Sequence, residues 1–127
     1  MTIAFWCVLA AGILPLAFVG YAKAMGGEYD NHAPRLFLAR LTGSAKRAHW
    51  AEENGYEAFP FFAAAVLTAH VVGGAIPRVD FLALVFIVAR IGHGIAYVTD
   101  LPTLRTFLWL VGWACTVAIF VTAATSR

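Results

Sequence analysis

Four long apolar runs constrain this chain more than any other feature of its sequence. They cover roughly residues 3–22, 44–73, 77–98 and 102–124. A helix of about 20 apolar residues crosses the hydrocarbon core of a bilayer, because each residue adds about 1.5 Å of length. Only 13% of the residues are charged, whereas soluble domains carry about a quarter. The sequence therefore predicts an all-α integral membrane protein, a four-transmembrane-helix bundle that forms a single domain over residues 1–127.

The connections between the runs predict the topology of the bundle. The links after the second and third runs are only a few residues long, so those neighbouring helices are antiparallel. The connection 23–43 is long and carries most of the loop lysines and arginines. The positive-inside bias places this connection in the cytoplasm and both termini outside. The start of the second run and the two ends that flank the last link then approach the cytoplasmic leaflet.

Several residues predict local features of the helices. Pro15 interrupts the first run, and membrane helices tolerate such a proline when neighbours re-satisfy the carbonyl that it frees. Thr99 or Asp100 is expected to cap the start of the fourth helix, since short polar side chains accept hydrogen bonds from free amide groups. Cys7 and Cys115 lie within apolar stretches without metal-ligand spacing, so we expect buried thiols and no metal site.

Polar and ionisable side chains lie inside three of these runs, where burial in lipid is costly and marks a candidate functional site. Arg90, His93 and Tyr97 are spaced i, i+3, i+7 and therefore share one face of the third helix. Asn54 and Glu57 share a face of the second helix for the same reason. All members of the set fall toward one leaflet, so we expect them to meet around a common cavity. The set comprises Asn54, Glu57, Arg90, His93, Tyr97, Arg105 and Thr106.

The residue types in this set fit two interpretations. In the first, Glu57 and Arg90 form a buried ion pair that holds the bundle together. In the second, the set binds a small, charged, peptide-like ligand, because guanidinium groups match carboxylates and Glu57 suits an ammonium group. Arg105 with the Thr106 hydroxyl would then stabilise a thiolate, since an adjacent positive charge lowers the pKa of a thiol. Glutathione is a ligand that carries all of these groups.

Three sequence elements together resemble the MAPEG family, the membrane-associated proteins in eicosanoid and glutathione metabolism. Residues 51–60 (AEENGYEAFP) are similar to its Asn-x-x-Glu motif, and residues 89–97 (ARIGHGIAY) to its Arg-x-x-His-x-x-x-Tyr motif. Residues 104–106 (LRT) resemble the segment where glutathione-using members carry an arginine followed by a hydroxyl residue. The likeness covers most of the chain from about Asn31 and is to bacterial members.

The resemblance implies a homotrimer in a bacterial inner membrane, with glutathione bound as co-substrate between adjacent protomers near the cytoplasmic leaflet. It implies that Arg105 and Thr106 face the sulfur of the tripeptide and that Lys23 contributes from the first helix. Arg47 lies two turns before Asn54, and its long side chain can reach along the helix. The expected glutathione-binding residues are Lys23, Arg47, Asn54, Glu57, Arg90, His93 and Tyr97.

The leading functional hypothesis is a glutathione-dependent membrane transferase or peroxidase that acts on lipophilic electrophiles, with Arg105 stabilising the thiolate. The alternative is a non-catalytic membrane binding or scaffold protein of the same fold, because Trp50, Glu52 and Glu53 stand where other members carry arginines or a histidine. A channel or transporter subunit ranks third, since the sequence lacks two-fold internal repetition.

The net charge of +2 and the lack of a basic run give no sign of a nucleic-acid partner. Expected partners are membrane lipid, a small lipophilic substrate and further copies of the chain.

Overall fold

The computed structural model describes residues 1–126, and their regular structure is entirely helical. Helix α1 spans Ile3–Met25, α2 Pro34–Ala39, α3 Gly43–Gly73, α4 Pro77–Val98 and α5 Pro102–Thr125. The four long helices have the length and composition needed to cross a membrane, which confirms the predicted fold class. The short helix α2 lies within the connection 23–43, which is therefore more structured than a plain loop. Helix α1 extends past its predicted end at Ala22.

The four long helices pack as a bundle in which α1 and α5 each contact both α3 and α4, while α3 and α4 also contact each other. The end that holds the connection between α1 and α3 is called the first-loop end. There the Tyr21 hydroxyl donates a hydrogen bond to the Ser44 hydroxyl, with 3.1 Å between the oxygens. Successive long helices run in opposite directions, so the start of α3, the end of α4 and the start of α5 all lie at this end.

The opposite end of the bundle is tied by hydrogen bonds from the start of α1. The Thr2 hydroxyl lies 2.8 Å from His70 Nε2, and His70 Nδ1 donates to the Val66 carbonyl at 2.8 Å. The Ala4 amide donates to the Asp80 carboxylate at 2.8 Å. A carboxylate is favourable here because the first turn of a helix has free amide groups and a partial positive charge. These contacts fix α1 against both α3 and α4.

Small side chains allow the helices to approach closely through most of the bundle. Without a hydrophobic driving force between helices in lipid, close van der Waals contact at small residues contributes much of their association. The rings of Phe62 and Phe86 stack between α3 and α4, with centroids 3.8 Å apart. Cys7 and Cys115 are free and buried in this core. The alanines of the same core are Ala4, Ala11, Ala65, Ala69, Ala83 and Ala123.

The link between α4 and α5 differs from the sequence prediction. Thr99 and Asp100 were expected to cap α5, but they end α4, and Leu101 precedes α5 without a side-chain cap. Asp100 has a left-handed backbone with φ of 59°, and the Leu101 amide donates to the Ala96 carbonyl at 2.8 Å. The Thr99 hydroxyl donates to the Ile95 carbonyl at 2.8 Å. A left-handed residue and a bond back to the last turn are the usual way to close a helix before a sharp reversal.

Gly94 offers a test of the close packing between α1 and α4. A Cβ atom at this position would overlap the ring of Phe18. We expect Gly94→Ala to lower the free energy of unfolding by about 1–3 kcal/mol, the usual cost of overpacking a core. The measurement is thermal unfolding in detergent, followed by circular dichroism.

Gly20→Ala is the matched control for this substitution. Gly20 lies within α1, is exposed, and has no atom within 4 Å of an added Cβ. Alanine there should be neutral or raise stability by about 0.5–1 kcal/mol, because glycine is a poor helix former. Equal unfolding temperatures for the two variants would contradict the tight contact between Gly94 and Phe18.

Candidate functional site

A buried guanidinium group links α4 to α3 in the half of the bundle nearer the first loop. Arg90 is only 6% exposed, and its Nη2 donates a hydrogen bond to Asn54 Oδ1 at 2.7 Å. Glu57 lies one turn further along α3 and is exposed on the protomer surface. Arg90 and Glu57 form no salt bridge within residues 1–126. The predicted alternative of a buried ion pair is therefore wrong, because the amide of Asn54 holds the guanidinium instead.

Three further side chains lie around the ring of Tyr97. His93 and Arg105 belong to the predicted set, and Trp50 does not. The edge of the His93 ring meets Tyr97 with 5.6 Å between centroids and planes at 83°. The guanidinium carbon of Arg105 lies 4.5 Å from the centroid of Tyr97, which is cation–π geometry. The indole ring of Trp50 approaches from α3, 6.4 Å from Tyr97. Residues from α3, α4 and α5 thus meet around one phenol ring.

Two adjoining cavities open beside these residues. The first-loop cavity, of about 300 Å³, is lined by Trp50, Glu53, Asn54, Glu57 and Tyr97. Asn54 and Glu57 also line a second cavity of about 220 Å³ between α3, α4 and α5. Since they share these two polar residues, the cavities are neighbours along α3.

The second cavity is called the aromatic cleft, after the side chains that form its walls. Phe61, Trp109 and Trp113 supply these walls, and Gly112 and Arg90 line it as well. The cleft therefore joins a largely apolar interior to the charged groups at its boundary with the first-loop cavity. A site of this kind can bind an apolar ligand while a few polar groups fix the orientation of that ligand.

Charges of both signs surround the first-loop cavity. Lys46 Nζ lies 5.7 Å from the Trp50 ring, on the helix that also carries Glu53. His49 lies between two carboxylates, with Nδ1 2.9 Å from Glu52 and Nε2 3.4 Å from Glu53. Together with Arg105 over Tyr97, these groups suit a ligand that itself carries both ammonium and carboxylate groups. Among the described residues there is no cluster of three metal-ligating side chains.

Three predicted site residues, Arg47, Lys23 and Thr106, lie outside both cavities and apart from the Tyr97 group. Arg47 donates from Nε and Nη2 to the Val98 carbonyl, each at 3.1 Å, and so satisfies the end of α4. Lys23 Nζ lies 4.7 Å from the centroid of the Tyr29 ring. Thr106 is exposed and lines neither cavity. The residues that the structure brings together are Asn54, Glu57, Arg90, His93, Tyr97 and Arg105.

Sequence reasoning missed the residues that form the walls of the aromatic cleft. Trp109 and Trp113 were not among the predicted site residues. They follow Arg105 at i+4 and i+8 on α5, so they share its helical face. That spacing could have identified them as candidate site residues. Phe61 lies one turn after Glu57 and carries the same signal on α3.

Comparison with known proteins agrees with the geometry of the bundle. Residues 3–125 match the family model described as the MAPEG family. No curated protein and no solved structure matches the chain. Because the matched residues include all four long helices and both cavities, this chain belongs to the MAPEG family.

Proposed function

We propose that this protein is a glutathione-dependent membrane transferase or peroxidase that acts on lipophilic electrophiles. The MAPEG family includes glutathione-dependent transferases and peroxidases. The observation that carries the proposal is the placement of Arg105 over Tyr97, beside a cavity with charges of both signs and next to an aromatic cleft. A polar thiol and an apolar acceptor could then be held side by side.

Glutathione would bind in the first-loop cavity. Glu57 can pair with its ammonium group, and the Asn54 amide can donate to or accept from its peptide groups. Arg105 and Lys46 supply positive charge for its carboxylates and for the sulfur. Arg47 is already bonded to the Val98 carbonyl. Lys23, Thr106 and Arg105 do not line the cavity themselves, but the Arg105 guanidinium lies over Tyr97, which does. We therefore assign the thiolate to Arg105 alone.

The electrophile would lie in the aromatic cleft, with its reactive carbon toward the first-loop cavity. In the conjugation step the thiol proton leaves to water and the thiolate attacks this carbon. The new S–C bond forms as the leaving group departs, or as the substrate takes up a proton. Holding the two reactants together makes the step effectively intramolecular, which can supply much of the rate. A peroxidase would use the same thiolate to attack a hydroperoxide oxygen, which breaks the O–O bond and releases the alcohol. A second glutathione would then react with the resulting sulfenic acid to give the disulfide and water.

We infer that the protomers assemble as a homotrimer. The Glu57 carboxylate is exposed on the protomer surface, and an ionised group facing hydrocarbon is costly. A neighbouring protomer beside the first-loop cavity would remove this cost, and members of the family are typically trimers. With the first-loop end in the cytoplasm of a bacterium, as its excess of lysine and arginine favours, glutathione would arrive from the cytosol.

Arg105→Ala tests the role of the guanidinium. In wild-type protein titrated with glutathione, we expect a saturable rise in thiolate absorbance near neutral pH. A free thiol titrates near ~8.5, and loss of a cation close to the sulfur should lower the bound thiolate fraction by about tenfold. Arg105→Lys retains the charge and should keep part of the signal.

Arg35→Ala is the control for general loss of positive charge. Arg35 is exposed on α2 and lines neither cavity. Its replacement should leave the thiolate signal unchanged. The assignment of Arg105 fails if Arg105→Ala behaves like Arg35→Ala, and the glutathione proposal fails if wild-type protein shows no saturable signal.

Gly112→Leu tests the aromatic cleft. A Cβ at Gly112 meets the Arg90 and Phe86 side chains at ordinary contact distance, so a longer side chain must enter the cleft. We expect kcat/KM for an aromatic electrophile to fall by about tenfold or more, while the glutathione thiolate signal remains. Initial rates of conjugate formation measure this loss.

Ala114→Leu serves as the control for added volume on α5. Ala114 is exposed and does not line the cleft. Its rate should match that of wild type. If Gly112→Leu retains full activity, the electrophile does not bind in the cleft.

A non-catalytic binding protein is the second candidate function, and one observation favours it. Glu53 places a second carboxylate in the first-loop cavity beside Glu57, which disfavours a ligand with two carboxylates. Under this interpretation glutathione or a related peptide would bind without thiolate formation, and neither conjugates nor reduced peroxides would appear. The same titration and rate measurements therefore separate the two functions.

A further inference from the structure

His93 carries a polar atom that the protein itself does not satisfy. The residue is 2% exposed, and its Nδ1 is the one fully buried side-chain nitrogen or oxygen without a hydrogen-bond partner in residues 1–126. A buried polar atom without a partner is energetically costly, so such atoms usually bind something. The ring lines a small cavity between α1, α3 and α4, here called the core cavity. The core cavity shares no lining residue with the first-loop cavity, and it adjoins the aromatic cleft at Ala58, Phe86 and Arg90.

A second polar group at the core cavity follows from Pro15. Proline has no amide hydrogen, so the carbonyl four residues earlier, that of Ala11, loses its helical donor. Both Ala11 and Pro15 line the core cavity together with His93. In a membrane helix such a freed carbonyl is re-satisfied by neighbouring side chains or ordered water.

The third polar group is the guanidinium of Arg90. Its Nη2 is used by Asn54, and a guanidinium has five N–H donors in all. Arg90 therefore retains donors that can serve the core cavity. The other residues around this space are apolar, among them Leu14, Phe18 and Phe59.

The core cavity leaves about 10 Å³ for the centre of a water molecule, which is room for one. We propose that a single structural water binds there, held by His93 Nδ1, the Ala11 carbonyl and Arg90. Arg90 donates to the water oxygen, and the two water hydrogens go to the Ala11 carbonyl and to His93 Nδ1. Three partners are typical of a buried water.

This arrangement fixes the tautomer of His93. Because Nδ1 accepts from the water, the proton of the neutral ring lies on Nε2. His93 is thereby a hydrogen-bond donor through Nε2, and the water joins α1 to α4 through the Ala11 carbonyl and the His93 ring. The inference does not depend on glutathione binding, since it uses only groups within the protomer core.

The tautomer can be read directly by nitrogen-15 NMR of the histidine side chains in the full-length protein at neutral pH. The chain has four histidines, and the signal of His93 is assigned by its loss in His93→Leu. We expect Nδ1 to show the shift of an unprotonated, hydrogen-bonded nitrogen and Nε2 that of a protonated one. A proton on Nδ1, or a charged ring, would overturn the proposal.

Pro15→Ala tests the water itself. Alanine restores the amide donor to the Ala11 carbonyl, so the water competes for that acceptor and its bond to Nδ1 weakens. We expect the Nδ1 resonance to move toward the value of a nitrogen without a hydrogen bond. Pro60→Ala is the matched control, because Pro60 is the proline within α3 and does not line the core cavity. An unchanged resonance in Pro15→Ala, or the same shift in both variants, would contradict the water.

Two replacements of His93 give a readout that does not rely on the spectrum. Asparagine can present an acceptor near the position of Nδ1, whereas leucine leaves the water without that partner. We expect His93→Asn to keep an unfolding temperature clearly above that of His93→Leu. Equal losses would show that the polar atom of His93 binds nothing in the core cavity.

Discussion

Arg90 carries a positive charge that is almost fully buried, and the packing of α4 on α3 follows from how this charge is accommodated. Its direct partner is the neutral amide of Asn54, at 2.7 Å. A carboxylate in that position would have formed a buried ion pair, whose desolvation cost can exceed its attraction. Because an amide holds the guanidinium, the Glu57 carboxylate remains at the surface of the first-loop cavity. Because Arg90 is hydrogen-bonded to Asn54 inside the bundle, the Glu57 carboxylate stays available to a ligand.

The first-loop cavity and the aromatic cleft differ in the side chains around them. Charged groups of both signs surround the first-loop cavity, while Phe61, Trp109 and Trp113 wall the aromatic cleft. A protein that joins a water-soluble thiol to a lipid-soluble acceptor needs both environments within bonding distance of each other. Asn54 and Glu57, which border both cavities, mark where the two reactants would meet.

The sequence was sufficient to predict the helices and much of the polar set, for identifiable physical reasons. Each apolar run matches the thickness of a bilayer, so element type and length follow from composition. Spacing within one helix placed Asn54 with Glu57, and Arg90 with His93 and Tyr97, on shared faces. Contacts between helices depend on the rotation of each helix about its axis, which spacing cannot supply. The approach of Trp50 to Tyr97 and the bonds from Arg47 to Val98 are of this kind. The end of α4 at Val98 was predicted correctly, whereas the cap of α5 was mispredicted because Asp100 can either cap a helix or close one.

The sharp reversal at Asp100 makes α4 and α5 a helical hairpin, and this has a consequence for the order of assembly. His93, Tyr97 and Arg105 all belong to that hairpin, and the stacking of Arg105 on Tyr97 joins residues close in the chain. Contacts between near neighbours in sequence form sooner than distant ones, because less chain entropy is lost. We therefore expect the contact between Arg105 and Tyr97 to form as soon as the hairpin closes. Docking of the hairpin onto α3 would then bring Asn54 and Glu57 beside it.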